Sequence, residues 1–371
     1  MESLVMFNTI YSAKKVLVTG HTGFKGSWLT SWLLKLGASV VGISKDIPTN
    51  PSMFEELELQ DKITHYQEDI RDLEMMTKII SDEKPDFLFH LAAQPIVSTS
   101  YSDPIETISS NVMGTANILE ALKNSNHTCT AILITSDKAY ENVEQVWGYK
   151  EDDKMGGKDI YSGSKGAAEL IIQSYHHSFF KNENSHVKLA IGRAGNVIGG
   201  GDWAKDRIVV DCMAAWSKGD AVEIRAPKAT RPWQHVLEPL SGYLNLGAEL
   251  YKNSSLHGEA FNFGPRAEQN HTVEELLMDL SRYWDFKEMH EAYKVTDNIP
   301  FHEAGLLKLN CDKALFYLKW QANLAYQETI QFTSEWYYEF YKTDKNMLDK
   351  TVEQITKYEA MAKVKALKWT E

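Results

Sequence analysis

The sequence predicts an α/β fold: a doubly wound parallel sheet, with a smaller mixed α/β domain in the C-terminal part of the chain. Three observations predict it. Short apolar runs alternate with helical patterns through the first half of the chain, as in sheets whose strands are joined by helices. Those runs are apolar almost throughout, as expected for strands that are buried on both faces. The length of 371 residues, 43% of them hydrophobic, is ample for such a core.

The predicted elements follow one another in a regular order. Apolar runs predict strands at 15–20, 39–44, 63–70, 85–93, 131–136 and 187–199. Helical periodicity predicts helices between them at 25–37, 73–83, 104–125 and 160–180. A further helix is predicted at 237–252 and a further strand at 259–264, and the chain beyond about Val273 is mostly helical.

The domain boundary is predicted near residue 195. Residues 1–194 would form the sheet domain with 236–264 returning to it, and 195–235 and 265–371 would form the second domain with a helical tail. Two segments, 199–207 and 225–236, are rich in Gly, Pro, Arg and Trp, which is typical of binding loops. The mixed charges of the tail predict a solvated cap over the second domain.

The composition excludes several classes of protein. The net charge of −12 gives no electrostatic support to a nucleic-acid partner. No apolar run reaches the ~18 residues of a membrane span, and no basic segment precedes an apolar one at the N-terminus, as a secretory signal would require. Cys129, Cys212 and Cys311 are too far apart for a disulfide framework or metal spacing. We therefore expect a cytoplasmic protein without a metal.

Three glycines at the corner between the first strand and the first helix predict a phosphate-binding turn. They are Gly20, Gly23 and Gly26, directly after the run "VLVT". The first glycine suits a tight turn, the second lets a pyrophosphate approach closely, and the third allows close contact between helix and strand. The helix N-terminus adds backbone donors and a partial positive charge. The pattern indicates a dinucleotide site, and the alternative is a glycine-rich turn without a ligand.

The end of the second strand bears on the choice between NAD and NADP. Dinucleotide-binding sheets usually place an acid there that binds the adenosine ribose. Ser44 occupies the expected position, Lys45 follows it, and Asp46 lies ~20 residues past the glycines, which favours NAD. Ser44 and Lys45 would instead tolerate the 2′-phosphate of NADP, so NADP stays possible. Asp69 and Ile70, after the third strand, either hold the adenine edge or only cap the strand.

A tyrosine and a lysine on the helix at 160–180 are candidate catalytic residues. Tyr161 and Lys165 are spaced i, i+4, which places them on one face of a helix. A phenol with a pKa of ~10 is a poor base at neutral pH. An ammonium ~4 Å away would favour the phenolate by ~4 kcal/mol at an effective dielectric of ~20. The pair is therefore predicted to supply a general base, and the alternative is an ordinary surface pair.

Taken in order, the motifs resemble those of the extended short-chain dehydrogenase/reductases. The chain has the glycine turn, "HLAAQ" at 90–94, "TSD" at 135–137 and "YSGSK" at 161–165, and the resemblance covers at least residues 14–265. It implies a Rossmann domain in which Thr135, Tyr161 and Lys165 are catalytic. Tyr161 would take the proton from a substrate hydroxyl whose carbon gives hydride to the nicotinamide, and Lys165 would also hold the nicotinamide ribose. The cofactor-binding residues expected are Gly20, Thr22, Gly23, Phe24, Gly26, Ser44, Asp46, Asp69, Ile70, Leu91, Ala92, Ala93, Gln94, Asn111, Tyr161 and Lys165.

The acid that follows the fifth strand narrows the resemblance. Simple epimerases of this family have small polar residues there, whereas the nucleotide-sugar 4,6-dehydratases carry an acid, as this chain does with Asp137. The resemblance implies the reason. After oxidation at C4 the C5 proton becomes acidic, and water leaves from C6 only if the hydroxyl is protonated. Asp137 matches the residue that supplies this proton, after which hydride returns to C6.

The next residue, Lys138, indicates one branch of those dehydratases. The thymidine-sugar branch has Glu there as the C5 base, whereas Asp-Lys resembles the CDP-glucose dehydratases. Other segments agree over nearly the whole chain, notably "HTGFKGSW" and "RPWQHVLEP", and Ala139 departs from that branch, which commonly has Cys there. Three roles are open for Lys138. It would act as the base at C5 if desolvation lowered its pKa, or it would stabilise the enolate electrostatically while another group acts as the base. The third alternative is a salt bridge with a carboxylate such as Glu141.

The substrate side is predicted from residue types that suit a sugar diphosphate. Arginine forks bind phosphate oxygens, and aromatic rings stack on or bound a base and a sugar. Each arginine taken alone is as well explained by a surface salt bridge, and a cytosine base follows from the resemblance only. The substrate-binding residues expected are Arg193, Asn196, Trp203, Arg207, Arg225, Arg231, Trp233 and His235.

The resemblance implies an NAD-dependent lyase of deoxysugar biosynthesis that converts CDP-glucose to CDP-4-keto-6-deoxyglucose and water. The alternatives are a 4,6-dehydratase of a GDP-, UDP- or dTDP-linked sugar, a 4-epimerase or reductase, and a non-catalytic NAD-sensing protein. Asp137 argues against an epimerase or reductase, and the presence of both Tyr161 and Lys165 argues against a sensor. The resemblance also implies a homodimer, in which helices at roughly 104–123 and 160–180 pack against their symmetry mates.

Overall fold

A seven-stranded parallel sheet forms the centre of the first domain. The structure is a computed structural model that describes residues 6–182, 185–224, 226–266, 268–284, 286, 288, 291–296 and 306–371. The strands are β1 (Lys15–Thr19), β2 (Ser39–Ser44), β3 (Thr64–Gln67), β4 (Phe87–His90), β5 (Cys129–Ile134), β6 (Val187–Ala194), β7 (Val197–Ile198), β8 (Val222–Ile224), β9 (Thr230–Arg231), β10 (Gln234–His235), β11 (Ala260–Phe263), β12 (His271–Thr272) and β13 (Tyr293–Val295).

Helices cover both faces of this sheet and are the main elements of the described residues in the C-terminal third. They are α1 (Phe24–Lys35), α2 (Met53–Glu56), α3 (Leu73–Glu83), α4 (Val97–Ser102), α5 (Pro104–Ile108), α6 (Gly114–Asn124), α7 (Ile160–Tyr175), α8 (Ile208–Trp216), α9 (Leu237–Lys252), α10 (Val273–Ser281), α11 (Asp312–Leu318), α12 (Tyr326–Lys342) and α13 (Met347–Val364). No helix among the described residues has the length and apolarity that crossing a membrane requires.

The sheet has the order β11-β6-β5-β4-β1-β2-β3, and each of its neighbouring pairs is parallel. After β3 the chain crosses to the other side of β1, so the strand order reverses between β1 and β4, where α/β sheets bind their ligands. Side chains alternate between two cores: Val16 and Val18 lie in one apolar cluster and Leu17 in the other. This confirms the predicted doubly wound α/β fold.

Several elements end differently from the prediction, and three of these differences are at the strand ends or helices near the site. β3 stops at Gln67, before a turn in which the Arg71 backbone N–H donates to Asp69 Oδ1 at 2.9 Å. The predicted helix at 104–125 is divided into α5 and α6 by a π-helical turn at Ser109–Met113. The predicted sixth strand is interrupted after β6, and β7 pairs with β10 outside the main sheet.

The segment after β10 returns to the sheet. β11 adds to its edge beside β6, with Ala260 opposite Ile191 and Phe263 opposite Ala194. α9 packs against β5 and β6 and is buried along most of its length, as the predicted helix at 237–252 requires if it lies between a sheet and other helices.

The tail differs from its predicted role as a solvated cap on the second domain. α13 packs against α1 as well as α12. Glu359 is fully buried there and accepts hydrogen bonds from Trp32 Nε1 at 2.8 Å and from Lys35 Nζ at 2.5 Å. The mixed charges of α13 therefore do not place all of it in solvent, because the carboxylate of Glu359 is paired inside the interface with α1.

Candidate active site

The turn between β1 and α1 has no room for side chains at two of its three glycines. Gly20 has φ +76°, and a Cβ there would lie 2.7 Å from the backbone nitrogen of Ala92. A Cβ on Gly26 would lie 2.1 Å from the Gly20 carbonyl oxygen. At Gly23 the nearest atom would be 3.4 Å away. α1 begins after Gly23 without a side-chain cap, so its first N–H groups remain as donors for an anion.

The end of β2 is tied to this turn. The Ser44 hydroxyl is buried and lies 3.1 Å from Nδ1 of His21. The Thr22 hydroxyl donates to the carbonyl oxygen of Asp46 at 2.7 Å, and the residue Asp46 itself is exposed. The predicted ribose-binding residues thus lie beside the glycine turn, where a dinucleotide site requires them.

Asp69 and Ile70 follow β3 on the same side of the sheet. Both carboxylate oxygens of Asp69 accept from the Arg71 side chain, at 2.6 to 3.0 Å. Ile70 is buried against α6, because a Cβ on Gly114 would lie 2.4 Å from its Cδ1. These contacts order the strand end, and the role of the two residues at the adenine stays a prediction.

The loop after β4, residues 91–94, is half-buried and is held from two sides. The Leu91 N–H donates to the Thr19 carbonyl at 3.1 Å, which fixes the loop to the end of β1. The Gln94 N–H donates to Asn111 Oδ1 at 2.8 Å, and Asn111 Nδ2 donates to Ser164 Oγ at 2.8 Å. Asn111, in the π-helical turn, therefore holds this loop against the first turns of α7.

Tyr161 and Lys165 lie buried on α7, whose first turn is capped by Asp159, which accepts from the Ser162 N–H at 2.9 Å. Lys165 Nζ is 5.9 Å from the centroid of the Tyr161 ring. Burial, followed by the charge of Asp137, raises the pKa of Tyr161 to about 12, and a hydrogen bond with Ser136 opposes this. Burial lowers the pKa of Lys165 to about 8.

The predicted lowering of the tyrosine pKa by its lysine neighbour does not occur in this structure. The loss of phenolate hydration outweighs the effect of nearby cations, and the cation that lowers the pKa of Tyr161 is Arg207. Burial therefore favours the neutral phenol of Tyr161, and further positive charge in the cleft would favour the phenolate.

Asp137 begins a short 3-10 turn directly after β5. The turn is capped by Ser136, whose hydroxyl accepts from the Lys138 N–H at 3.2 Å and donates to Asp137 Oδ1 at 2.9 Å. Asp137 is 5% exposed, and burial raises the pKa of its carboxyl against the opposing charges of Lys138 and Lys25. A Cβ on Gly195 would lie 2.9 Å from Asp137 Oδ2, so the residue after β6 leaves space for this acid.

A small cavity brings predicted residues from three segments together. It is lined by Asp137, Lys138, Asn196, Arg231, Pro232 and Leu307. The predicted alternative of a salt bridge between Lys138 and Glu141 is wrong, because Glu141 pairs with Lys154 at 2.7 Å and no carboxylate of the described residues pairs with Lys138. Lys138 therefore lines the same cavity as the buried acid.

The comparisons with known proteins agree with this geometry. The family described as GDP-mannose 4,6 dehydratase matches residues 17–333. The CDP-glucose 4,6-dehydratase of Salmonella typhimurium is 47% identical over 332 residues, which cover 88% of this chain and 91% of that protein. The chain belongs to the GDP-mannose 4,6-dehydratase family.

Solved structures share the fold of this family member. An epimerase of Methanothermobacter thermautotrophicus superposes with a TM-score of 0.78 at 22% identity, over 92% of this chain and 97% of that one. The dTDP-glucose 4,6-dehydratase DesIV of Streptomyces venezuelae, solved with NAD bound, gives a TM-score of 0.74 at 18% identity, over 88% and 97%.

Two residues of this dehydratase-family chain have contacts that differ from their predicted roles. Arg193 is fully buried and forms a bidentate ion pair with Glu169, with Nε–Oε1 at 2.7 Å and Nη2–Oε2 at 2.5 Å. Thr135 donates its hydroxyl proton to the same carboxylate. Neither contact supports a role at substrate or cofactor, because both side chains are used inside the core.

The predicted aromatic residues of the substrate side are also core residues. Trp203 packs on Trp336 and Phe340 of α12. Its Nε1 donates to Tyr341 Oη at 3.1 Å. Trp233 is 5% exposed, and His235 is fully buried. Trp233 and His235 have no open face for a base or sugar, because both rings are buried. Trp203 is half-buried, and its contacts with α12 do not support such a role either.

The remaining arginines differ in their surroundings. Arg207 forms an ion pair with Asp202, and its charge reaches Tyr161 and Lys25. Arg231 lines the cavity beside Asp137. Arg225 lies outside the described residues. Arg207 and Arg231 are therefore the predicted phosphate ligands that the structure places at the cleft.

Ser136 and Lys25 belong to the site, although the sequence did not predict either. Ser136 bonds to Tyr161 and to Asp137, as described above. Lys25 lies in the first turn of α1, and burial and the charge of Arg207 lower its pKa to about 8, against the effect of Asp137. The signal for Lys25 was present in the sequence, because a cation between two glycines of a phosphate turn is a charged group in a ligand-binding position.

Proposed function

We propose that this chain is an NAD-dependent nucleotide-sugar 4,6-dehydratase that converts CDP-glucose to CDP-4-keto-6-deoxyglucose and water. The observation that carries the proposal is the buried acid Asp137, with its raised pKa, beside the phenol of Tyr161 in one cleft. The choice of CDP-glucose is supported by the 47% identical relative of that name.

The residues at the glycine turn fit a dinucleotide. Gly20 and Gly26 allow the tight corner, and the first N–H groups of α1 would receive the pyrophosphate. Ser44 and Asp46 lie where the adenosine ribose would be held. When bound, NAD would accept hydride from C4, return it to C6 and add the positive charge of its oxidised ring.

Tyr161 would take the proton of the C4 hydroxyl. Ser136 lies beside the phenol and would orient it, and both Ser136 and Arg207 lower the pKa of Tyr161 against the effect of burial. Lys165 follows one helical turn later and would contribute positive charge to the same face. Asn111 contributes by position, because it fixes α7 through Ser164, the residue before Lys165.

Asp137 would protonate the C6 hydroxyl as it leaves. Burial favours the protonated carboxyl, which is the form that can donate. Lys138, in the same cavity, would stabilise the negative charge that develops when the C5 proton is removed. Asn196 and Arg231 complete the cavity and would receive the substrate diphosphate.

The proposal includes a homodimer. Along α5 to α7 the chain exposes large apolar side chains, which in a monomer would face water. A second copy would cover them if these helices packed against their symmetry mates, as the resemblance implies. The exposed residues are Ile105 (72%), Ile108 (40%), Met113 (54%), Ile160 (41%) and Leu170 (54%).

The proposal also keeps the predicted domain division and location. The return of α9 and β11 to the sheet supports a first domain of 1–194 with 236–264. Cys129, Cys212 and Cys311 are free thiols, as expected in the reducing cytoplasm.

Mass spectrometry of the products from a panel of CDP-, GDP-, UDP- and dTDP-linked sugars tests the proposal. We expect loss of one water from CDP-glucose, and a Tyr161→Phe variant with the same melting temperature should be at least ~100-fold slower. A product from a different nucleotide sugar would change the substrate, and a 4-epimer without loss of water would overturn the dehydratase proposal.

A further inference from the structure

Four charged side chains form a cluster at the carboxyl ends of β2 and β3. We define this ribose-end cluster as Lys45, Asp69, Arg71 and Glu106. Lys45 Nζ is 2.7 Å from Glu106 Oε1, and Arg71 Nη2 is 2.6 Å from Asp69 Oδ2. Arg71 Nη1 also donates to Glu106 Oε2, so Glu106 holds both cations of the cluster at once.

The cluster lies where dinucleotide-binding sheets distinguish NAD from NADP. An acid after the second strand binds the ribose 2′-hydroxyl of NAD, whereas an arginine near it accommodates the 2′-phosphate of NADP. Here β2 ends in Ser44, which does not repel a phosphate, and the cations of Lys45 and Arg71 follow nearby. Residue types alone would therefore permit NADP.

The hydrogen bonds within the ribose-end cluster argue against NADP. The cluster holds two cations and two carboxylates, so its formal charge is zero. Glu106 stays ionised, because its bond to Lys45 holds the pKa of its carboxyl below the usual range. It is also held by Ser110, whose hydroxyl donates to Oε1 at 3.1 Å. No cation of the cluster remains uncompensated for a phosphate dianion.

We propose that Glu106 determines the preference for NAD over NADP, because it holds Lys45 and Arg71 in ion pairs and so leaves neither cation to bind a 2′-phosphate. The inference rests on the proposed NAD-dependent function and adds the residue that discriminates between the two cofactors. Glu106 acts on the cofactor at a distance from the reacting atoms, so it is a specificity residue.

The Glu106→Gln variant tests this with cofactor binding as the readout. It keeps the size of the side chain and removes the charge. Dissociation constants for NADH and NADPH are measured on the full chain by nicotinamide fluorescence. We expect the NADPH/NADH ratio of dissociation constants to fall by at least ~10-fold, because Lys45 is released toward the phosphate while Arg71 stays paired with Asp69. The gain should shrink at high salt, and a second change, Lys45→Met, should remove most of it.

A matched control is Glu83→Gln. Glu83 is also half-buried and also pairs with a lysine, since its Oε2 is 2.9 Å from Lys15 Nζ, but it lies at the other end of α3. The variant changes the net charge equally and should leave the cofactor ratio unchanged. An unchanged ratio in Glu106→Gln, or an equal shift in Glu83→Gln, would overturn the inference.

A variant of the exposed Lys45 keeps the inference testable even if Glu106→Gln fails to fold. In the native chain Lys45 is already held by Glu106, so Lys45→Met should leave NADPH binding within ~2-fold of wild type. A large loss of NADPH affinity would show that Lys45 contacts the phosphate in the native protein and would overturn the inference.

The wild-type protein separates this inference from the proposed function. If it binds neither NADH nor NADPH, both the proposed function and this inference are overturned. If it binds a cofactor but has no dehydratase activity, only the substrate assignment is overturned.

Discussion

The Thr135 hydroxyl donates a 2.5 Å hydrogen bond to Glu169 Oε1, while the next residue, Ser136, bonds to Tyr161. Successive side chains at a strand end point to opposite sides. Because Glu169 is fully buried, Thr135 points into the core and Ser136 points into the cleft. We therefore expect Ser136, rather than Thr135, to orient the proposed base.

Ser136→Ala should lower kcat by ~10–100-fold, because it removes the hydroxyl beside Tyr161. Its cost in unfolding free energy should be only ~0.5–1.5 kcal/mol, from the lost hydroxyl bonds to Asp137 Oδ1 and the Lys138 N–H. Thr135→Val should do the reverse. It leaves a buried carboxylate with one donor fewer, at a cost of ~1–3 kcal/mol of unfolding free energy, with kcat of the folded protein retained. Thr135→Ser, which keeps the hydroxyl, is the control. Loss of turnover in Thr135→Val at unchanged stability would restore Thr135 to the catalytic site.

Arg193→Met should destabilise the fold by ~3–5 kcal/mol, because it leaves Glu169 charged and unpaired in the core. The folded fraction should keep the wild-type KM for the nucleotide sugar. Arg231→Met, at the cavity, should raise KM and leave the unfolding free energy nearly unchanged. Denaturant unfolding and initial rates on both variants give the comparison, and a raised KM with normal stability in Arg193→Met would show that it binds substrate after all.

Local spacing was enough to predict the sheet, the glycine turn and the tyrosine–lysine pair. Each depends on residues within a few positions of one another, where strand and helix periods act directly. The end of β5 shows the limit of such patterns. A shift of one position in where the strand stops exchanges the roles of Thr135 and Ser136, and side-chain period alone does not locate that stop.

The incorrect predictions on the substrate side have a different cause. Arg193 and Trp203 have residue types that suit a diphosphate and a base. Their partners, Glu169 and Tyr341, are 24 and 138 residues away along the chain. Residue type gives no information about such a partner, because only the packed structure shows whether a polar group is already paired.

Lys138→Ala tests the step at C5. If the ammonium stabilises charge at this carbon, the variant should lose exchange of the C5 proton with solvent deuterium while still oxidising C4. Lys154→Ala is a suitable control, since Lys154 is nearby, 78% exposed and paired with Glu141. NMR or mass spectrometry of recovered sugar measures the exchange. Wild-type exchange in Lys138→Ala would mean that another group acts at C5.

Asp137→Asn should separate the acid from the hydride transfer. The amide keeps the shape of the carboxyl but cannot donate the proton that the C6 hydroxyl needs. Oxidation at C4 depends on Tyr161 and should survive. The variant mixed with substrate should therefore accumulate reduced cofactor, measured at the nicotinamide absorbance, with little 6-deoxy product. Product at the wild-type rate would remove Asp137 from the mechanism.

The Asp137→Asn variant should also be more stable than the wild type at neutral pH. A charged Asp137 that pairs with a cation in the native protein would have the opposite effect. Burial raises the pKa of Asp137 in the folded state, so the folded protein binds the proton more tightly than the unfolded chain does. The contribution of a protonated Asp137 is complete below the ordinary pKa of ~3.9 and is lost as pH rises through the raised value. Asn carries no charge at any pH and avoids that loss. The melting temperature of Asp137→Asn should therefore exceed that of the wild type near neutrality, and the difference should narrow as pH falls toward ~4.

Turnover of the wild type should decline as pH rises through the raised pKa of Asp137, because the protonated carboxyl that donates to C6 disappears. A variant that is less stable at neutral pH would indicate that Asp137 is charged and paired in the native protein, and the proton for C6 would have to come from another group.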